Sequence, residues 1–319
     1  MHQAFILGAG LGTRLRPLTD QLPKPLVPLF HRPLAAWAID ACQRAGIHRF
    51  AINTHHLPEC WNGFGEPVTN PDLPGLTGGN GLPARHLTRN GAELCLFHEP
   101  QLLETGGGLK NIAGWLLDEP LLVHNGDIFS DMPLDRLLAA HLASGNPVTL
   151  ALRSAGVAKH IALDPSLNRV IDIRERLSRA AGTHVFTGIY CINPEFLTML
   201  PSQEKTSIIP AFLELARMNR LGAAVIDDGH WIDLGDHASY LEAHQSLHLG
   251  PAIHPLARIA AGCQIEHSVI GPDALVESGA VVRNSVLWPN SHIAAGADLD
   301  RCIVFSTKPA SGTHRDADL

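Results

Sequence analysis

Several features are scarce or missing in this chain of 319 residues. No run of 18 apolar residues occurs, so no segment is expected to span a membrane as a helix. Base is in deficit: 24 Lys and Arg face 31 Asp and Glu, a net charge of −7, which argues against a nucleic-acid face. Charged residues make up 17% of the chain against 45% hydrophobic, which excludes disorder and provides for a real core. The length suits one large domain or two unequal ones. The six cysteines (Cys42, Cys60, Cys95, Cys191, Cys263, Cys302) form no CxxC pair, and the 19 histidines form no HxH or HExxH. A dedicated zinc site is therefore not expected, and the thiols read as buried and free, as in a cytoplasmic protein. Met1–Leu7 carries no basic leader before Gly8, so it reads as a first strand and not as a signal peptide.

Short apolar runs alternate with amphipathic stretches through the first two-thirds. Strands are expected at Ala4–Leu7, Phe50–Asn53, Leu94–His98, Leu121–His124, Val148–Leu152 and Val185–Ile192, with a helix from Leu34 to Ala45 that stops at Gly46. This grammar implies an α/β fold: a Rossmann-like, mostly parallel mixed sheet flanked by helices, with ligands at the carboxyl ends of the strands. Residues 62–83, dense in Gly, Pro and Asn, read as a long surface loop.

From residue 253 the pattern changes. Aliphatic residues fall at Ile259, Ile265, Ile270, Val276, Val282, Leu287, Ile293, Leu299 and Val304, so each column advances by 17 residues. Gly262, Gly279 and Gly296 keep the same period, as do Ser268, Ser285 and Cys302. Such phasing predicts a three-sided prism, a short C-terminal left-handed parallel β-helix whose sides each bury one aliphatic residue. The expected organisation is a catalytic domain over 1–248, a β-helix of about three coils over 249–306, and a polar tail over 307–319 that frays.

The chemistry concentrates in residues 8–29, where a strand runs into Gly8, Gly10 and Gly12, followed by Thr13, Arg14 and, between two prolines, Lys24. Glycines let backbone N–H groups approach an anion, and the two cations can neutralise phosphate, Arg as a fork and Lys as a point charge. A tight turn with surface cations would account for one glycine pair but not for the full run. A Walker A loop is excluded because GxxxxGK[ST] is absent. The dinucleotide fingerprint is excluded because Thr13 stands where its third glycine belongs.

This run resembles the signature of the sugar-1-phosphate nucleotidylyltransferases, the nucleotide-sugar pyrophosphorylases. Glu104-Thr105-Gly106-Gly107-Gly108, Asn125-Gly126-Asp127, Phe186-Thr187-Gly188-Ile189-Tyr190 and Trp231-Ile232-Asp233-Leu234-Gly235 follow in the family's order, and an appended β-helix also occurs in relatives. The resemblance implies transfer of a nucleoside monophosphate from an NTP to a sugar-1-phosphate, with release of pyrophosphate. It implies that Arg14 holds the departing pyrophosphate and Lys24 the sugar phosphate. Gly8, Gly10, Gly12 and Thr13 would line the nucleotide, with Glu99 and Gly106 near its base. Asn125, Glu175 and Gly188 would face the sugar, and Asp127 and Asp233 would hold Mg²⁺, which suits two carboxylates completed by phosphate oxygens and water.

The chain departs from the family at Glu175-Arg176-Leu177, where Glu-Lys-Pro is usual, and at Lys159-His160, where a glycine often sits. These departures leave the sugar open. Glu-Thr-Gly-Gly-Gly resembles the N-acetylmuramate branch that uses a uridine nucleotide, whereas an appended β-helix is more typical of glucose, mannose or N-acetylglucosamine enzymes. The alternative from another class is a catalytically silent, nucleotide-sugar-binding regulatory or scaffold subunit, disfavoured because Arg14, Lys24, Asp127 and Asp233 are all kept. Acyl transfer on three coils with His267 and His292 is less favoured still. Assembly into a homo-oligomer is expected through the β-helix and the helix around Leu241–Leu249.

Overall fold

The computed structural model describes residues 1–68, 75–164, 166–201 and 205–319. They form two compact units, one of residues 1–11 with 35–231 and the other of residues 12–34 with 232–319.

In the first unit the apolar runs become strands because a parallel strand covered on both faces needs continuous apolar sequence. The strands are β1 (Gln3–Leu7), β2 (Arg49–Thr54), β3 (Glu66–Pro67), β4 (Arg85–Arg89), β5 (Ala92–His98), β6 (Leu121–Asn125), β7 (Val148–Arg153), β8 (Ile161–Asp164), β9 (Arg169–Ile173), β10 (Val185–Ile192) and β11 (Leu221–Val225). Among the described residues they make one eleven-stranded sheet in the order β8-β9-β11-β7-β10-β6-β1-β2-β5-β4-β3. Its centre, β6-β1-β2-β5, is parallel, and β10 runs antiparallel to both β6 and β7. The helices of this part of the chain are α1 (Leu34–Arg44), α2 (Glu104–Asn111), α3 (Leu134–Ser144) and α4 (Ile209–Arg217). One core joins sheet and helices through Phe5, Phe97, Leu109, Val123, Tyr190 and Phe212. Leu7 pairs with Asn53 on one side and with Asn125 on the other, so β1, β2 and β6 end together at one carboxyl edge.

The stretch 62–83 is not a single long loop. Residues 69–74 lie outside the described residues, but their flanks are tied down. Pro58–Gly63 forms a 3₁₀ helix, and Glu66–Pro67 pairs antiparallel with Leu87–Thr88. Farther on, Gly79 N–H donates to the Asn111 carbonyl at 2.7 Å, and Asn80 Nδ2 donates to the His98 carbonyl at 2.8 Å. Short ribbons with polar edges leave no apolar periodicity, which is why the sequence reads as loop.

The second unit contains the prism. Side chains at Val276, Val282, Leu287, Ile293, Leu299 and Val304 are buried along its axis, and successive coils pair in parallel, Val276 with Ile293 and Val282 with Leu299. Gly262, Gly279 and Gly296 have φ of +77°, +71° and +69°, a backbone that explains their shared period. The serine column has its own reason: Ser285 N–H donates to Ser268 Oγ at 3.0 Å, and Cys302 N–H donates to Ser285 Oγ at 2.9 Å.

The tail 307–319 is folded. Pro309–Ala310 pairs with His292–Ile293, Thr313–Arg315 pairs with Asp298–Asp300, and Asp318 bridges to Ile303. It winds a further, polar coil that covers the end of the stack, fastened by ion pairs from Arg315 to Asp298 (2.7 Å) and from Arg301 to Asp316 (2.5 Å). In α5 (His237–Ser246), Leu241 packs with Tyr240, Val286, Trp288 and Ile303 inside its own unit, so this leucine is not exposed. The six cysteines carry no disulfide, and Cys42, Cys95, Cys191 and Cys302 are buried.

Leu299 is fully buried in the stack, so Leu299→Ala is expected to destabilise by about 2–5 kcal/mol in chemical denaturation. A change below about 0.5 kcal/mol, the size of an ordinary surface substitution, would contradict the packed prism.

Candidate active site

At the carboxyl edge of the first unit the backbone is crowded by design. A Cβ on Gly8 would lie 2.7 Å from the Asn53 carbonyl oxygen, and one on Gly126 would lie 2.6 Å from that of Leu7. Gly126 N–H donates to the Leu7 carbonyl at 2.9 Å, which seats the Asn125-Gly126-Asp127 turn beside the end of β1. Asp127 is half-buried at this turn, and Gly10 is exposed, with open space around its Cα. Gly188 has φ +76°, and a Cβ there would meet Asn125 Nδ2 at 2.5 Å, so two expected sugar-facing residues touch.

Glu99 behaves differently from expectation. It is fully buried, its Oε1 accepts from Asn53 Nδ2 at 2.8 Å and its Oε2 accepts from Leu103 N–H at 3.0 Å. Burial pushes its carboxyl above the usual glutamate range, against the pull of these two donors. Asn53 Oδ1 in turn accepts from Gly8 N–H at 2.8 Å. Glu99 therefore fixes the glycine turn and the start of α2, leaving no exposed oxygen for a nucleotide base. Gly106 is likewise occupied: its N–H donates to the Thr206 carbonyl at 2.8 Å, and a Cβ would sit 2.8 Å from that oxygen. Its glycine serves a close backbone approach.

Glu175 is exposed, in a turn where Arg174 and Glu175 have φ of +55° and +57°. Two consecutive side-chain-bearing residues in this region cost energy, and Asp172 supplies the restraint. It is fully buried and accepts from the backbone N–H of Ile173 (2.7 Å), Leu177 (3.0 Å) and Arg179 (3.0 Å). Burial pushes its carboxyl up, but these three donors outweigh burial and hold it below the ordinary aspartate value.

In the second unit the cation loop meets Asp233. Gly12 has φ +61°, and a Cβ would meet Thr19 Cγ2 at 2.8 Å and Lys24 Cβ at 3.0 Å, so only glycine lets the loop close over Lys24. Thr13 opens a single 3₁₀ turn, Thr13–Leu15, that presents Arg14. Lys24 is 5% exposed, and its Nζ lies 3.6 Å from Asp233 Oδ1. Arg14 Nη2 lies 3.9 Å from Asp233 Oδ2. A Cβ on Gly235 would sit 2.9 Å from Arg14 Nη1, so the guanidinium lies close over this glycine. These are ion-pair distances longer than hydrogen bonds, and Asp233 is 45% exposed, so a hydrated cation can reach its carboxylate. Arg14 and Lys24 thus both lie within ion-pair distance of Asp233.

Residues 3–249 match the family model described as Nucleotidyl transferase, and residues 253–308 match that of the GlmU-like C-terminal hexapeptide. The chain belongs to the nucleotidyl transferase family. It is 28% identical over 284 residues to the mannose-1-phosphate guanylyltransferase of Mycobacterium tuberculosis, covering 86% of this chain and 73% of that protein. Mannose-1-phosphate guanylyltransferase 1 of Arabidopsis thaliana is 27% identical, over 75% of this chain and 63% of its own length. Among solved structures, a putative glucose-1-phosphate thymidylyltransferase from Bacillus anthracis shares the fold, with a TM-score of 0.61 at 17% identity over 79% of this chain and 98% of that one. HddC from Yersinia pseudotuberculosis, complexed with GMP-PN, gives 0.58 at 18% identity, over 76% and 98%.

The sequence did not single out Asn53 or Asp172. Each is a polar residue within or at the end of a strand whose neighbours are apolar, and that mismatch is the available signal. Because the carboxyl of Asp172 is depressed in the fold, its stabilisation is present above the unfolded value near pH 4 and is lost as pH falls through the folded one. Asp172→Asn is therefore expected to destabilise by about 1–3 kcal/mol at neutral pH, with the gap closing in acid. A gap independent of pH in paired thermal melts would contradict this.

Proposed function

We propose that this protein transfers a nucleoside monophosphate from an NTP to a sugar-1-phosphate, giving an NDP-sugar and pyrophosphate. The observation that carries the reading is the gathering of Arg14 and Lys24 on Asp233 within the motifs of a nucleotidyl transferase. The reaction joins polyanions, so its barrier is lowered chiefly by charge neutralisation and in-line positioning. The open backbone at Gly10, with Gly8, Gly12 and Thr13, receives the nucleotide phosphates. Arg14 takes up charge on the departing pyrophosphate with its planar fork. Lys24, nearly buried, offers a desolvated point charge to the attacking sugar phosphate. Asn125 and Gly188 bound the sugar, and Glu175 accepts from its hydroxyls.

Asp127 and Asp233 are the carboxylates assigned to Mg²⁺, which when bound neutralises phosphate charge. Both reach solvent and offer the hard oxygen donors that this ion takes, together with its own waters. Relatives named as mannose-1-phosphate guanylyltransferases favour mannose-1-phosphate and GTP over the N-acetylmuramate and uridine pair that residues 104–108 suggest. Cytoplasmic residence and self-association through the β-helix belong to the same reading. Support for association comes from the first coil, which exposes Ile253 (41%) and Leu256 (58%).

The test is a matrix of five nucleoside triphosphates against several sugar-1-phosphates with Mg²⁺, read by mass and by pyrophosphate release. The expected strongest product is GDP-mannose. Binding without release in every combination would instead indicate the silent regulatory subunit. Asp127→Asn is expected to keep the fold and lose at least about a hundredfold in turnover, the scale of one lost electrostatic stabiliser. Turnover at the wild-type rate in saturating Mg²⁺ would refute the role of Asp127.

A further inference from the structure

Residues 12–34 carry both proposed catalytic cations yet have little structure of their own. They contain three single 3₁₀ turns and a two-residue ribbon, Pro28–Leu29 against Arg32–Pro33. Elements this short do not hold themselves in water, so the loop's shape must come from what it leans on.

It leans on α5 and the C-terminal coils. Leu15, Leu18 and Val27 share an apolar cluster with Tyr240, Leu241, Val286, Trp288 and Ile303. One polar relay crosses this cluster and a second runs outside it. In one, Trp288 Nε1–H donates to Tyr240 Oη at 3.0 Å, and the Tyr240 O–H donates to the Pro28 carbonyl at 2.5 Å. In the other, Asp318 Oδ2 lies 2.6 Å from His237 Nδ1, and His237 Nε2–H donates to the Arg16 carbonyl at 2.9 Å. Arg16 follows Arg14 by two positions, and Pro28 follows Lys24 by four. A third bond, from Phe30 N–H to His244 Nε2 at 3.0 Å, holds the ribbon to the same helix.

We propose that the β-helix is the mount of the cation loop, and that Tyr240 and His237 are positioning residues for Lys24 and Arg14, each bonded to loop backbone on one side and to a C-terminal coil on the other. The proposal rests on the roles given to Arg14 and Lys24 above. In-line transfer is sensitive to shifts of an ångström, so a loop whose backbone anchor is lost keeps its charges but misplaces them.

The decisive variant is Tyr240→Phe, which keeps the ring and leaves the Pro28 carbonyl and the Trp288 N–H without partners. The expected result is a fall of about tenfold in kcat/KM for the sugar-1-phosphate, the size of one lost hydrogen bond, with a raised KM for that substrate and little change in KM for the NTP. Hydrogen exchange should quicken in peptides covering 13–28 and stay unchanged in the strands of the sheet. Trp288→Phe leaves the bond to Pro28 intact and should fall between wild type and Tyr240→Phe; it also serves if Tyr240→Phe does not fold. Unchanged exchange over 13–28, or equal shifts in both KM values with a general loss of stability, would overturn the proposal. If the wild-type protein transfers no nucleotide, the functional reading fails. The mount is then still judged by exchange over 13–28, which Tyr240→Phe should quicken.

Discussion

Two cations and one carboxylate set the terms for the rest of this protein. Lys24 is withdrawn from solvent, and its charge is tolerable there because Asp233 lies within ion-pair distance, with Arg14 on the other oxygen of the same group. Keeping two like charges close together requires a loop that cannot relax. Prolines on both sides of Lys24 and the closure at Gly12 serve that end.

In the first unit, buried hydrogen bonds fix the backbone at the carboxyl edge of the sheet. Glu99, Asn53 and Gly8 form a chain of buried hydrogen bonds that ends on the glycine turn, and Asp172 does the same for the turn that carries Glu175. Buried carboxylates are costly, and both are accepted here because each fixes several backbone groups at once.

Much of this was legible in the sequence. The strands near the sheet centre declared themselves because burial on both faces requires continuous apolar runs. The prism did so because every coil repeats one spacing. The glycine and cation motifs were legible because their chemistry fixes residue type and order. What could not be read were roles decided by the fold around a residue. Glu99 looked like a carboxylate free to meet a base, and only the approach of Asn53 and Leu103 consumes it. The last coil escaped because Ala310 and His314 replace the aliphatic residues, and the step from Leu299 to His314 is 15 residues where the repeat is 17. Leu241 looked available to a partner because nothing local reveals that Trp288, 47 positions away, covers it.

The division of labour between the two cations is the point on which the account turns, and kinetics in both directions tests it most directly. Lys24→Ala is expected to raise the KM for the sugar-1-phosphate in the forward reaction and to leave the pyrophosphate KM in the reverse reaction close to that of wild type. Arg14→Ala is expected to do the converse. If both substitutions raise the same constant, or leave both constants unmoved, the two side chains do not serve separate phosphates and the assignment is wrong.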